Sequence, residues 1–232
     1  SGIVIEPDGR NTAPAAILAA LKVQQDTPGG MLLLVPSDHA VANSAAFRKA
    51  VMAGAASAEE GNIVTFGIKA TRPETGFGWL QSGAETHKGV MKLERFIEKP
   101  DAARAVELLA DPKYLWNAGV FLARADVLID AFRTHAPDIL AGVEAALAGA
   151  ISDLDFTRLD EAAWAGVPEE SIDYAVMEKA TNVSVVSFDE QWSDLGSWEA
   201  VWQESTKDKN GNARSENTTV FDCENTLLRS ES

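Results

Sequence analysis

Three polar segments of this chain carry residue types suited to phosphates, metals and sugars. The first is Gly9-Arg10-Asn11-Thr12-Ala13-Pro14, a turn running into a helix. A helix N-terminus offers unpaired N–H groups and a partial positive charge, and Arg10 adds a full one. Together these suit a phosphate or the edge of a nucleobase. The second is Pro36-Ser37-Asp38-His39, directly after an apolar run. A carboxylate just beyond a buried strand is placed to hold Mg2+, which takes octahedral oxygen ligands, commonly one or two carboxylates plus phosphate oxygens. The third is Trp192-Ser193-Asp194-Leu195-Gly196-Ser197-Trp198. Its Asp194 is a second acid near a strand end and could complete one Mg2+ site with Asp38. Each segment has a plainer alternative: a capped turn at 10–13, an Asx-turn or cap at Asp38, a turn residue at Asp194.

Two more segments join them. In Glu98-Lys99-Pro100, Lys99 can serve as a point charge for a phosphate and Glu98 as an acceptor for sugar hydroxyls, the alternative being a solvated surface pair. Trp116-Asn117-Ala118-Gly119 sets an amide beside an aromatic before a strand, as sugar sites do. The three histidines, at 39, 87 and 135, lack zinc spacing. No Ser/His/Asp triad, Walker A loop or GxGxxG is present in the sequence.

The elements that must position these residues follow from hydrophobic patterning. Residues 3–6 read as a strand, and Thr12 is placed to cap a helix through about Val23, with Pro14 in its tolerant first turn. The apolar run Met31 to Val35 reads as a strand covered on both faces. A helix over 45–58 and a strand over 63–71 follow. The Gly-, Pro- and Thr-rich stretch 72–89 reads as loop or short strand, and 90–97 as a partly exposed strand. Asp101 starts a short helix, 119–123 is a strand, and 125–163 is almost all helical. Ser171 caps a helix to about Lys179, 183–188 returns to strand, and Ser197 caps a last helix. This alternation implies a mostly parallel, doubly wound α/β sheet, whose ligands sit beyond the carboxyl ends of the strands. Residues 207–212 read as a loop or linker, and 218–228 resume a strand-like pattern.

The chain has 232 residues, enough for a full core without staples, and a net charge of −15. That charge argues against nonspecific binding to nucleic acid or an anionic membrane, while leaving room for a small anionic substrate met by a few placed cations. No apolar run spans a bilayer and no leader is legible. The single cysteine, Cys223, excludes an intrachain disulfide framework and fits a reducing, cytoplasmic setting; it reads as an ordinary small residue.

Each segment is weak alone, but their order is specific. Glu6 to Pro14, Val35-Pro-Ser-Asp-His39, Thr75-Gly-Phe-Gly78, Phe96-Ile-Glu-Lys-Pro100, Trp116-Asn-Ala-Gly119, Ser171 to Lys179 and Trp192 to Trp198 together resemble the bacterial mannose-1-phosphate guanylyltransferases, from about residue 3 to residue 228. The resemblance implies a Rossmann-like three-layer αβα nucleotide-diphospho-sugar transferase fold. It implies GTP and mannose 1-phosphate as substrates, GDP-mannose and pyrophosphate as products, and Mg2+ as cofactor. Carried onto this chain, Asp38 and Asp194 match metal-binding acids and Lys99 a lysine near the sugar phosphate. Glu98, Asn117 and Asp173 match sugar contacts, and Gly78 a glycine whose backbone faces the ligand. Arg10, Asn11, Thr12 and Ala13 match the segment near the nucleobase.

The family opens with a Gly-rich loop containing Arg, which this sequence lacks. It continues into a C-terminal β-rich region, and some members are fused to a mannose-6-phosphate isomerase domain. The expectation is therefore a catalytic domain over 1–206, incomplete at its N-terminus and weak in GTP binding by itself. A linker and the start of the β-rich region would follow over 207–232. A monomer and a homo-oligomer both fit. Another hexose-1-phosphate nucleotidyltransferase, or a noncatalytic sugar-phosphate-binding homologue, are the competing readings.

Overall fold

The structure, a computed structural model, describes residues 2–188 and 192–230. In chain order the strands are β1 (Ile3–Ile5), β2 (Met31–Leu34), β3 (Ala40–Val41), β4 (Ile63–Lys69), β5 (Trp79–His87), β6 (Val90–Ile97), β7 (Tyr114–Arg124), β8 (Ile151–Asp153), β9 (Phe156–Arg158), β10 (Val183–Ser187), β11 (Trp192–Ser193), β12 (Ala213–Arg214) and β13 (Leu227–Leu228). The helices are α1 (Thr12–Asp26), α2 (Ser44–Glu59), α3 (Ala102–Leu109), α4 (Ala125–His135), α5 (Pro137–Ala148), α6 (Glu161–Trp164) and α7 (Trp198–Glu204), with a π-helical turn at Asp173–Met177. They form two compact units. One comprises Ser1–Val35 and Ala45–Asp189, the other Pro36–Ser44 and Glu190–Ser232.

The first unit is built on a six-stranded sheet in the order β2-β7-β4-β10-β6-β5. The sequence Ile63-Val-Thr-Phe-Gly-Ile68 is buried throughout β4 because both sheet faces are covered. On one face Ile63, Val183 and Val185 join a core with Ile17, Leu18, Leu128, Phe132, Leu140 and Val143 from α1, α4 and α5. On the other, Phe66 packs against Phe47 of α2 at 6.0 Å between ring centroids. Gly54 of α2 lets that helix approach Val64 so closely that a Cβ would sit 2.9 Å from its Cγ1. Helices on both faces of one sheet make the three-layer α/β arrangement that the sequence implies.

The sheet is mixed, and the expectation of a mostly parallel one is corrected here. Strands β2, β4, β5 and β10 do run the same way, but β6 and β7 run against them and lie between them. Among the described ladders of this sheet, β4–β10 is the parallel one. Parallel neighbours need a covering crossover, whereas the chain at β5–β6 turns back directly through Lys88-Gly89, with Gly89 at φ 78.

Local differences from the sequence reading have visible causes. Residues 79–87 form a long strand rather than a loop or short strand, since Trp79 and Leu80 are fully buried and pair with both β6 and β7. Strand β7 begins at Tyr114, so Trp116 and Asn117 lie inside it. The helical run from 125 is interrupted by the β8–β9 hairpin, which pairs with β1 through a parallel ladder. Helix α1 is capped by Asn11, whose Oδ1 accepts from the Thr12 N–H at 2.9 Å. Asp101 and Ser197 cap α3 and α7 as the sequence predicts.

In the second unit β3 pairs antiparallel with β11, and β12 pairs with β13. The strand-like pattern over 218–228 yields only the two residues of β13. Ahead of β13 the buried side chain of Asn212 accepts from the Thr226 N–H and donates to the carbonyl of Cys223, so residues 223–226 are tied down in part by a side chain.

Candidate active site

Within the first unit, five of the residues singled out by sequence converge. The backbone of Gly78 accepts from the Asn117 N–H at 2.7 Å, and that of Phe77 accepts from the Lys99 N–H at 3.3 Å. Gly78 has no room for a side chain: a Cβ would lie 2.7 Å from Oε2 of Glu98 and 3.1 Å from the Phe96 ring. Glycine here lets the Glu98 carboxyl fold back over the strand. Lys99 Nζ stands 3.5 Å from Glu98 Oε1, with the lysine half exposed and the glutamate 6 % exposed. Lys99 itself sits at φ 45, a left-handed conformation a non-glycine residue rarely holds without support from its surroundings.

Asn117 is buried, and each end of its amide is engaged. Its Oδ1 accepts from the Thr65 hydroxyl at 2.9 Å and the Gly119 N–H at 3.2 Å, while its Nδ2 donates to Asp173 Oδ1 at 3.0 Å. The positions thus tie β4, β7 and the π-helical turn to one another.

Three carboxyl groups face this corner. Burial, helped by the nearby Asp173 and Glu178 and opposed by Lys99, pushes the Glu98 carboxyl up to about 7. Burial also raises Asp173, with Glu178 acting the same way and Lys99 and the Asn117 amide acting against it. The site can therefore hold a proton on a carboxyl near neutral pH, so Glu98 can donate as well as accept hydrogen bonds.

Glu178 was not singled out from the sequence, although its segment was. Its Oε1 accepts from the Glu98 N–H at 3.1 Å. The π-helical turn brings it there, because the Glu178 N–H bonds back to the Asp173 carbonyl five residues earlier. At α-helical spacing residues 173 and 178 would point well apart. The acid pair five apart was the available signal, and it is readable only once the wider turn is known.

The segment Arg10 to Ala13 belongs to the same unit. Arg10 donates to the Ala165 carbonyl at 3.1 Å and lies 3.7 Å from Asp8. The Ala13 N–H donates to Glu170, and the Thr12 hydroxyl accepts from the Ile172 N–H at 3.0 Å. Ile172 immediately precedes Asp173, so Thr12 connects the start of α1 to the carboxyl corner.

Asp38 and Asp194 belong to the second unit. The β3–β11 ladder pairs Ala40 with Ser193 and Val41 with Trp192, which places the two acids just beyond its end. His39 stands with them, its ring edge-on to Trp192 at 5.3 Å. Burial lowers the His39 pKa, against the pull of Asp38 and Asp194. Asp194 also closes an Asx-type turn, accepting from the Gly196 N–H at 3.1 Å. No three His, Cys, Asp or Glu side chains gather to hold a metal among the described residues. A cation here would rest on two carboxylates and on ligand oxygens. That donor set suits Mg2+, and the buried, unpartnered Nδ1 of His39 leaves a polar demand that a hydrated ion could meet.

Comparison with known proteins gives these residues a setting. The model of the nucleotidyl transferase family matches residues 1–211. The xanthan biosynthesis protein XanB of Xanthomonas campestris is 47 % identical over 226 residues, which are 97 % of this chain and 48 % of that protein. A mannose-1-phosphate guanylyltransferase of Sinorhizobium fredii is 42 % identical over 232 residues, 99 % of this chain and 45 % of that protein. The chain thus spans about half the length of these curated relatives. Among solved structures, one named mannose-1-phosphate geranyltransferase from Thermus thermophilus superposes with a TM-score of 0.79 at 36 % identity, covering 92 % of this chain and 60 % of that one. Another, named mannose-6-phosphate isomerase from Helicobacter pylori, gives a TM-score of 0.75 at 31 % identity, covering 83 % and 73 %. Among the described residues no helix is long and apolar enough to cross a membrane.

Proposed function

Because this chain belongs to the nucleotidyl transferase family, we propose that it serves guanylyl transfer from GTP to mannose 1-phosphate, giving GDP-mannose and pyrophosphate. What carries the reading is the corner formed by Gly78, Glu98, Lys99, Asn117 and Asp173, where a cation, a buried amide and two carboxyls whose pKa values burial raises meet. Relatives at 42 % and 40 % identity that are named for mannose-1-phosphate guanylyl transfer support the choice of sugar and base.

In this reaction an oxygen of the sugar phosphate attacks the α-phosphorus of GTP in line. A new P–O bond forms, the bond to the β-phosphate bridge breaks, and pyrophosphate leaves. No covalent intermediate on the protein is required, so its task is to orient two polyanions and offset their charge. Lys99 faces the sugar phosphate. Glu98, Asn117 and Asp173 bind the sugar hydroxyls, with Gly78 at the ligand, and Arg10 to Ala13 lie by the guanine. Asp38 and Asp194 would hold Mg2+, which when bound supplies charge neutralisation for the phosphates. The catalytic domain spans 1–206, with a linker and the start of a β-rich region after it, in a cytoplasmic enzyme.

The test is a panel of nucleoside triphosphates and hexose 1-phosphates on the full-length protein, reading pyrophosphate release with and without Mg2+. GTP with mannose 1-phosphate should lead, and Asp38→Asn and Asp194→Asn should each abolish turnover while leaving the melting temperature near that of the parent. Preference for another pair transfers the reading to another hexose 1-phosphate. No turnover with any pair points to a binding role.

A further inference from the structure

The corner that holds Lys99 and Asn117 depends on a loop from which the proposed reaction draws only Gly78. Residues 70–78 connect β4 to β5, and the carbonyls of Phe77 and Gly78 accept from the N–H groups of Lys99 and Asn117. Whatever fixes Phe77 and Gly78 therefore fixes both site residues. Arg72 is at the centre of what does. Its Nε donates to Glu74 Oε2 at 3.0 Å and its Nη2 lies 2.9 Å from the same oxygen. The guanidinium stands 5.0 Å from the centroid of the Trp116 ring and 6.0 Å from that of Phe77.

Glu74 ties the loop together from the other side. Its Oε1 accepts from the Gly76 N–H at 3.0 Å, and its backbone carbonyl accepts from Trp79 Nε1 at 2.9 Å. Burial would raise its pKa, but the Gly76 N–H and Arg72 outweigh that and hold the carboxyl below its ordinary range. The aromatic rings complete the brace: Trp116, 5 % exposed, is met edge-on by Phe77 at 5.4 Å and Trp79 at 6.2 Å. A cation over the face of an aromatic ring is attracted by its quadrupole, and a planar guanidinium can lie on it while forking to a carboxylate.

We infer that Arg72 is a positioning residue for the sugar-phosphate half of the site. Braced by Glu74 and lying against Trp116 and Phe77, it holds the loop from which Phe77 and Gly78 fix the backbones of Lys99 and Asn117. This rests on the sugar-phosphate reading of that corner. It also accounts for Glu74 and Gly76, whose hydrogen bonds brace this loop.

The experiment combines steady-state kinetics with amide hydrogen exchange on the full-length protein. Arg72→Ala should raise KM for mannose 1-phosphate on the order of tenfold, since small misplacement of a binding group is costly, and leave KM for GTP within about twofold. Arg72→Lys should recover little, because it keeps the charge but loses the plane and the fork. Glu74→Gln should show a smaller rise of the same kind. The amides of Lys99 and Asn117 should exchange faster in Arg72→Ala, while those of the β4–β10 ladder keep their protection. If Arg72→Ala does not fold, the lysine and glutamine variants carry the same two readouts. Unchanged exchange at both amides, or equal movement of both KM values, overturns the inference and leaves the proposed reaction standing. A parent protein inert toward every sugar phosphate overturns both.

Discussion

Glu98 is the residue whose chemistry departs furthest from its type. Its carboxyl titrates at about 7 instead of the ordinary 4.5, because it is buried beside Asp173 and Glu178. The sign of the consequence follows from proton counting. Between those values the folded state keeps a proton that the unfolded chain gives up, so folding binds protons. The favourable contribution is complete below about pH 4.5, declines as pH rises, and is gone above about pH 7. Glu98→Gln keeps a neutral hydrogen-bonding group at every pH. The melting temperature of this variant relative to the parent should therefore climb from pH 5 to pH 8. A difference that stays flat over that window would mean that Glu98 is not held in its protonated form.

Lys99 makes the opposite case, a group with ordinary exposure in a rare conformation. If it faces the sugar phosphate, Lys99→Ala loses a charge-assisted hydrogen bond on the order of 1.5–3 kcal/mol, roughly ten- to a hundredfold in kcat/KM for mannose 1-phosphate. The effect of GTP should change little. Lys99→Arg should restore only part, since a planar fork replaces a compact ammonium. Kinetics with each substrate varied in turn decide it, and an unchanged kcat/KM for mannose 1-phosphate in the alanine variant returns Lys99 to the solvated surface.

At the scale of elements, the position of Asn117 depends on a glycine in the neighbouring strand. Gly67 of β4 lies opposite Asn117 in the ladder, next to an irregularity after Thr65. A Cβ on Gly67 would stand 2.9 Å from Leu115 Cβ and 3.1 Å from Val185 Cγ2, both in packed core. Neither neighbour can retreat without disturbing β7 or β10. Gly67→Ala should therefore destabilise by about 1–3 kcal/mol, as overpacking does, and lower the melting temperature by several degrees. A melt identical to that of the parent would show that β7 yields there more easily than its contacts suggest.

How much of these elements the sequence disclosed depends on where their information lies. Strands such as 31–34 and 63–69 and helices such as 44–59 were legible because apolar periodicity and caps are local. Gly78, Glu98, Lys99, Asn117 and Asp173 also stood out in the sequence, and the fold brings them together, while their roles toward a substrate are a proposal. The pairing was not legible. That β7 lies between β2 and β4 and also pairs with β5 is decided by contacts far apart in sequence, and Trp79 and Leu80 became strand because of partners in β6 and β7. The π-helical turn was missed for the same kind of reason. Its i to i+5 bonding has no compositional mark, yet it is what carries Glu178 to Glu98.

For the whole molecule the dominant fact is a net charge of −15 in a protein proposed to gather two polyanions. The two electrostatic effects act over different distances, and that separates them experimentally. A phosphate seated against Lys99 is in contact, well inside the Debye length at any ordinary salt, which falls from about 30 Å at 0.01 M to about 8 Å at 0.15 M. The repulsion from 35 acidic residues spread over the chain acts across longer distances and is screened first. Raising NaCl from about 0.01 M to about 0.15 M at constant Mg2+ should therefore speed association of GTP and lower its KM, and further salt should gain little. A protein that binds its anion through a broad basic surface shows the reverse, with affinity falling steadily as salt rises. Stopped-flow association rates across that range distinguish the two. A monotonic loss of association rate from the lowest salt upward would mean that a positive field, built from more than Lys99 and Arg10, governs the approach of the nucleotide.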